Sequence, residues 1–463
     1  MLGTERFGEY TTITAYLSMF VILADLGLQA LMTREISRLR DGITEIASTF
    51  FTLRLLSSAV FLLFGVAASL LFPYSGAVKF GMVIAVSGMF FLSVSQLLLG
   101  IFQKHLAMHI TAIAEIAGRG LQLLLVYIIF RGNVQYPILT LYLFLGAMSV
   151  ASLFIFVLQY FFARKYIKIG WRADFAQWKA ILKVSWPIAL SIVFTLIYFK
   201  IDTIFLSLMK PPGDVGIYGV AYRVLESLIF FPAMFAGIML PILSKDAAEA
   251  DLSNFRETFA KALRVITIFA IPVTVGGVIL SYSIANLIGG KEFVAAGAPL
   301  QALFVATGII FFGNLFGRVI IALDLAKRAI LAYLFGVILN VVLNLMFIPK
   351  YTYMGAAWTT VATELLITAF LFYLIWKKAF VGDLGGLAAA LSPRVAIKSA
   401  VAAAVMAGVL LYLVSSISEP LSFTQLGLLT VLGGGIYFGA LYVFSGRSLS
   451  QDAKTVSKRA ISA

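Results

Sequence analysis

Apolar residues in this chain come in long runs with little alternation. Thirteen runs are long enough to cross a bilayer, at roughly 10–31, 48–71, 80–101, 108–130, 138–161, 184–209, 215–243, 265–288, 297–323, 329–348, 355–376, 395–414 and 423–445. A bilayer core takes about 20 apolar residues per helix. Strands of a membrane barrel would alternate polar and apolar over about 10 residues, and these runs do not. The pattern predicts an all-α polytopic membrane protein of about thirteen transmembrane helices. Two connections carry a shorter helical rhythm. Phe175, Trp178 and Ile181 share a face after Asp174, and Phe255, Phe259 and Leu263 share one after Ser253. The expectation is a pair of helices lying in the headgroup plane with Lys and Arg upward. A docking face for a regulatory partner is the alternative.

Composition narrows the class. The 463 residues are 61% hydrophobic and 12% charged, against about 25% charged in soluble domains. With no cysteine there is neither a disulfide framework nor a thiolate metal site. The two histidines, His105 and His109, share a short polar connection, which argues against a zinc or Ser–His centre. A net charge of +14 would suggest nucleic acid in a soluble protein. Here the cations sort by side instead. One set of connections holds 24 Lys and Arg, among them Arg34, Lys104, Arg164, Arg256, Lys377 and Arg459. The other holds 6: Arg6, Lys79, Arg131, Lys210, Lys291 and Lys350. The basic side is cytoplasmic, which puts Ala463 inside and Met1 outside an inner (cytoplasmic) membrane.

The chain also resembles itself. "FGEY" at Phe7–Tyr10 precedes a span ending in "TREISR", and "VGIY" at Val215–Tyr218 precedes one ending in "SKDAAE". The turn at Arg131 follows Tyr10 by 121 residues, and that at Pro349 follows Tyr218 by 131. Repeated halves suit a transporter that rocks one half against the other. A full span, 184–209, stands before "VGIY", whereas six residues stand before "FGEY". The offset leads us to expect a first helix absent from the N-terminus, through a misplaced start or a shortened chain. The expected division is an N-terminal lobe at 1–161 with five spans, an amphipathic linker at 162–183, a C-terminal lobe at 184–378 with six spans, and a final helix pair with a cytoplasmic tail at 379–463.

"LGTERFGEY", "ADLGLQALMTREISR", "KIDTIFLSLMKPPGDVGIYGVAYRV" and "ILNVVLNLMFIPKYTYMGAAWTT" carry a family resemblance over nearly the whole chain. They resemble the Wzx-like oligosaccharide/polysaccharide flippases, the polysaccharide transporter branch of the multidrug/oligosaccharidyl-lipid/polysaccharide superfamily, related to the lipid II flippase. The resemblance implies two pseudo-symmetric helical lobes around a central cavity. It implies alternating-access transfer of a polyprenyl-diphosphate-linked oligosaccharide to the outer leaflet. The partners implied are that lipid-linked oligosaccharide, membrane lipids, and the glycan polymerase and glycosyltransferases of the same pathway, with no nucleic acid.

Charges inside spans are the candidate chemistry. An Arg or Lys at a helix centre costs about 2.5–3.5 kcal/mol on insertion scales. Arg54, Arg119, Lys200, Arg223 and Arg318 fall inside spans, so each needs a wet cavity, an acid or the interface. Arg offers a fork that matches phosphate oxygens, which makes these five a candidate diphosphate cavity, Arg223 foremost. Arg54 and Arg318 have a second reading, snorkelling to the cytoplasmic interface. Glu115 precedes Arg119 by one turn, a favourable helix pair, and Glu226 follows Arg223 by three residues. Asp25 and Glu364 have no partner nearby in sequence. These four acids are candidates for charge pairing or proton coupling. Tyr198, Tyr218, Tyr222 and Trp358 are candidates to stack on sugars, with a plain core role as the alternative.

No cofactor is expected beyond a coupling ion, sodium or protons. By resemblance to lipid II flippases, Asp202, Asn340, Asn344 and Thr360 form a candidate sodium site. Oxygen ligands suit a hard cation, and the resemblance implies that Asn344 stands at the place of a second carboxylate in some of those relatives. Hydrogen bonding between helices explains the same polar residues without an ion. Of the competing functions, a multidrug/cation antiporter shares the fold. A polysaccharide polymerase or ligase needs larger outer loops than these, and no nucleophile–base set appears, so an enzyme is not expected.

Overall fold

The computed structural model describes residues 2–38, 42–132, 136–249, 251–381, 383–417 and 420–445. Within helix 175–209 the side chains of 186–199 are not described. Tyr198 therefore lies outside the described residues, as do Arg40 and the tail beyond Ser445 with Arg459. All regular elements among the described residues are helical. They include 11 helices long and apolar enough to cross a membrane. The chain divides into two units, Met1–Gly216 and Ile217–Ala463.

The first unit contains α1 (Gly3–Asp25), α2 (Leu28–Arg38), α3 (Ile43–Ala68), α4 (Gly76–Lys104), α5 (Met108–Arg131), α6 (Pro137–Ala163) and α7 (Phe175–Met209). Local chemistry sets several starts. Ser75 Oγ accepts from Val78 N at 3.3 Å to cap α4, and the Asp174 carboxylate accepts from Gln177 N at 3.0 Å to cap α7. Run 10–31 is not one helix, because Leu26 (φ 49°) and Gly27 (φ 72°) break it between α1 and α2. Glycine enters that conformation freely, whereas leucine enters it at a cost. One core cluster joins Ile13, Leu17, Met82 and Leu145, and a second joins Met32, Phe50, Phe102 and Trp178.

Helix α8 (Pro212–Ala247) carries the chain from the first unit into the second. There follow α9 (Ser253–Gly289), α10 (Gly297–Ala322), α11 (Ala326–Ala379), α12 (Leu384–Leu391), α13 (Pro393–Ser416) and α14 (Phe423–Ser445). The 54 residues of α11 hold two of the expected spans, broken at Thr352 (φ 51°, ψ −129°) just after Pro349. With α11 counted as two, all thirteen runs fall in helices. The final pair packs on α9, where Tyr437 Oη donates to Ile268 O at 2.8 Å.

Two expectations change here. The helix over 184–209, placed at the head of the C-terminal lobe, belongs instead to the first unit. Both its ends are tied there. Thr49 Oγ1 donates to Gln177 Oε1 at 3.3 Å, and Tyr74 Oη and Ser207 Oγ are hydrogen-bonded at 3.1 Å. Nor do the amphipathic segments lie as separate helices in the headgroup plane. Each is the first part of a long membrane helix, α7 or α9. Trp178, Phe255, Phe259 and Leu263 are buried, and Phe259 meets Phe255, Phe316 and Phe380 at ring separations of 5.9–6.2 Å. At the start of α9 aromatic contacts within the protein replace contact with lipid, whereas Phe175 at the start of α7 stays exposed. The start of α9 is fixed by Asp251, whose carboxylate accepts from Ser253 N at 3.1 Å.

Candidate functional site

The cations expected inside spans fall into different environments. Arg54 on α3 is wholly buried. Its Nη1 donates to Asp25 Oδ1 at 2.8 Å, and its Nε donates to Ser93 O at 3.1 Å. Ser57 Oγ, one turn on, donates to Ala24 O at 2.9 Å. The geometry follows from the break at Leu26 and Gly27, because a helix end leaves its last carbonyls without intrahelical donors. The negative end of the α1 dipole also favours a cation. Arg54 thus neither lines a cavity nor snorkels; it closes the broken end of α1. Asp25, without a partner nearby in sequence, finds one 29 residues away. Arg54 Nη2 has no hydrogen-bond partner among the described residues.

Helix α5 differs. Ala114 and Gly118 are buried, and Gly118 lies against Ile155 of α6. The adjacent face carries Glu115, Arg119 and Gln122. Arg119 Nε stands 3.6 Å from Glu115 Oε2, with side chains 55% and 40% exposed, and Arg119 Nη1 donates to Gln122 Oε1 at 3.0 Å. This stripe sits at the middle of a span whose other exposed residues include Ile116 and Leu123. A charge so placed must meet water or another polar group, since hydrocarbon would not accept it.

On α8, Arg223 and Glu226 are also exposed. Tyr222 is not available to a sugar. It is buried beside fully buried Tyr218, with ring centroids 5.6 Å apart. The preceding residue in each case faces the core because of helical phase, so the plain core reading holds for both tyrosines. Trp358 is half exposed. Arg318 is half-buried one turn from the end of α10. Tyr333 lies within electrostatic reach of both Arg318 and buried Glu364. Glu364 faces the Gly313 backbone, where a Cβ would lie 3.9 Å from its Oε2. Tyr333 was not singled out by sequence, and only its phase on α11 would have flagged it.

The candidate sodium ligands divide. Asn344 Nδ2 donates to Asn340 Oδ1 at 2.9 Å, both side chains wholly buried. Thr360 Oγ1 lies 3.4 Å from Tyr218 Oη. Buried Asp202, with half-buried Lys200 two residues before it, belongs to the first unit. The four are therefore not gathered within either unit. No cluster of three His, Asp or Glu suited to a metal occurs among the described residues.

Other charged contacts were not expected from the sequence. Arg6 Nη1 grips both carboxylate oxygens of Glu9, at 2.8 and 2.7 Å. Arg256 donates to Ala379 O at the end of α11 and to Asp383 Oδ2 at 2.9 Å. Arg264 Nε donates to Ser392 Oγ at 2.7 Å. These arginines clamp the connection that leads to the final pair. In the loop before α4, burial pushes the Tyr74 pKa up, and its hydrogen bond to Ser207 only partly opposes this.

Against known proteins, the family described as polysaccharide biosynthesis protein matches residues 1–246. The MatE family matches residues 187–346. A probable flippase of Haloferax volcanii, AglR, is 29% identical over 37% of this chain and 36% of its own length. The capsular polysaccharide biosynthesis protein CapF of Staphylococcus aureus is 22% identical over 63% of this chain and 72% of its own length. The chain spans about a third of the length of the first curated relatives it matches. Among solved structures, the lipid II flippase MurJ in an inward closed conformation superposes with a TM-score of 0.71 at 16% identity, covering 96% of this chain and 93% of that one. A multi-pass membrane protein with the fold of MurJ, the chain belongs to the polysaccharide biosynthesis protein family.

Proposed function

We propose that this chain is a flippase. It carries a polyprenyl-diphosphate-linked oligosaccharide from the cytoplasmic to the outer leaflet of the cell membrane by alternating access, with its C-terminus inside. The carrying observation is the partly exposed Glu115–Arg119–Gln122 stripe at mid-span, in a chain of a polysaccharide biosynthesis family. A charged face in the centre of an apolar helix suits a water-filled path for a polar cargo. Arg119 and Arg223 supply planar donors for phosphate oxygens, and Gln122 adds an amide for sugar hydroxyls. Arg54 leaves the cargo site, because its guanidinium is committed to Asp25. Arg318 and Lys200 remain as half-buried candidate cations. We place coupling to protons or sodium at Glu364 with Tyr333, at Asn340, Asn344 and Thr360, and, in the first unit, at Asp202. The glycan polymerase and glycosyltransferases of the same pathway are the protein partners this reading implies.

The test is complementation. In a host lacking its own flippase and accumulating the lipid-linked glycan inside, this chain should restore surface glycan. Arg223→Ala should abolish that export at normal membrane abundance. Arg223→Lys should restore part of it, because a point charge replaces a fork. Full export by Arg223→Ala would remove Arg223 from the cargo site. The MatE match supports one second reading, a multidrug/cation antiporter. Drug resistance conferred without any glycan export would favour it.

A further inference from the structure

The second unit contains a cavity that has no part in the cargo site. It lies between α9, α10 and the last part of α11, with Leu391 of α12 and Ala396 of α13 at one end. Its volume is about 660 Å³, within the range of about 300–1,000 Å³ usual for a bound small molecule. None of its lining residues is charged, and Phe312 and Phe372 form part of the wall. Along α9 the lining runs from Leu263 to Val275, and along α10 from Val305 to Phe316. At about 1.5 Å per residue these stretches are about 18 and 16 Å long. That is close to half of a hydrocarbon core about 30 Å thick. Leu365 and Leu391 line the cavity and are exposed, so it is a slot with an open side.

The end at Leu391 is cationic. Arg264 follows Leu263 and shares a face of α9 with Ile271, two turns on. Its Nε donates to Ser392 Oγ at 2.7 Å, next to Leu391. From Lys377 to Lys398 the chain carries four cations and one acid. That acid, Asp383, is engaged by Arg256. A long apolar slot with cations at one end matches an amphiphile with an anionic head. A soluble anion leaves the slot unfilled, and a neutral lipid leaves the cations unmatched.

We propose that this cavity binds one hydrocarbon chain of an anionic phospholipid, with the phosphate at Arg264 and the start of α13. The proposal goes beyond the flippase reading and rests on its orientation only for the leaflet, the cytoplasmic one. The bound chain touches α9, α10 and α11 together, and the head meets the connection that leads to the final pair. The lipid thus fastens that connection to the body of the unit, as Arg256 and Arg264 do from within.

The test uses the full chain in vesicles with a phosphatidylglycerol that carries a diazirine on its hydrocarbon chain. On illumination, adducts should map to 267–275 of α9 and 365–372 of α11. The same probe with a phosphatidylcholine head should give about tenfold fewer there, because nearby cations favour an anionic lipid. Ala369→Phe fills the slot from an exposed position. It should cut these adducts by about tenfold and leave those elsewhere on the chain unchanged. Arg264→Gln keeps the slot but should reduce the preference for phosphatidylglycerol to about twofold. Equal labelling by the two heads in the unsubstituted chain would overturn the proposal, as would undiminished adducts in Ala369→Phe. If Ala369→Phe fails to accumulate, Arg264→Gln decides, and an unchanged head preference overturns the site. Displacement of phosphatidylglycerol by an equal amount of polyprenyl phosphate would also overturn it, by giving the slot to the cargo's carrier. None of these measurements needs export, so a chain that exports nothing defeats the flippase reading and leaves the lipid site to its own result.

Discussion

Two arginines interrupt apolar spans of the first unit, and the protein treats them in opposite ways. Arg54 on α3 is wholly buried and joined to Asp25 of α1 across a helix break. Arg119 on α5 is more than half exposed, with Glu115 one turn before it at 3.6 Å. The difference lies in what each would leave behind. Removing Arg54 strands a carboxylate and a helix end inside packed protein. Removing Arg119 takes a charge from a face already open. A cation inside a span is therefore a mark of function only once its burial and its partner are known. In this chain the more buried arginine is committed to packed protein, and the exposed one is the candidate for cargo.

The sharpest way to break the comparison is Arg54→Ala. Removing one partner of a buried pair costs about 3–5 kcal/mol, a large share of a domain's stability. Membrane abundance should collapse, and any purified protein should unfold at a clearly lower temperature in detergent. The double change Asp25→Asn, Arg54→Met removes both charges and should recover much of the loss. Wild-type thermal stability in Arg54→Ala would show that Asp25 does not depend on it, and the structural role would fall.

A smaller effect is expected at the clamp of the second unit. Arg256 joins Ala379 O and Asp383, but both side chains of the pair are about one-third exposed. Solvent screens such a pair to about 1 kcal/mol or less. Arg256→Ala should lower the melting temperature slightly and raise proteolysis near Asp383. Loss as large as that of Arg54→Ala would mean that exposure is a poor guide to the role of these arginines.

Much of the fold was legible because lipid imposes so simple a rule. Thirteen apolar runs became helices, including the pair either side of Thr352, where Pro349 had signalled a turn. What was not legible depended on partners distant in sequence. The Arg54–Asp25 pair spans 29 residues, and no local spacing announces it. The amphipathic segments were read correctly as amphipathic. Their apolar faces were assigned to lipid because the sequence of α9 says nothing of Phe316 and Phe380, which cover Phe259. Tyr222 failed as a sugar contact for the same reason: one step of 100° around α8 separates buried Tyr222 from exposed Arg223. For the candidate sodium set, the sequence offered residue types in matching helices, with Asp202 in the first unit and Asn340, Asn344 and Thr360 in the second.

The smallest effect on stability, and the one that completes the comparison, should come from Arg119→Ala. An exposed i,i+4 pair contributes about 0.3–0.5 kcal/mol on a helix, so abundance and melting temperature should stay near wild type. On the proposed flippase reading, in which the guanidinium held by Gln122 binds phosphate oxygens, export should nevertheless fall steeply. Arg119→Lys should keep part of the activity, since charge survives but the fork does not. Glu115→Gln separates two meanings of the pair. If Glu115 only steadies Arg119, export should drop modestly and depend little on pH. If Glu115 releases a proton during transport, export by the wild type should vary with pH and that dependence should vanish in Glu115→Gln. Normal export by Arg119→Ala would show that an exposed charge at mid-span can be idle, and it would erase the contrast with Arg54 on which the cargo site depends.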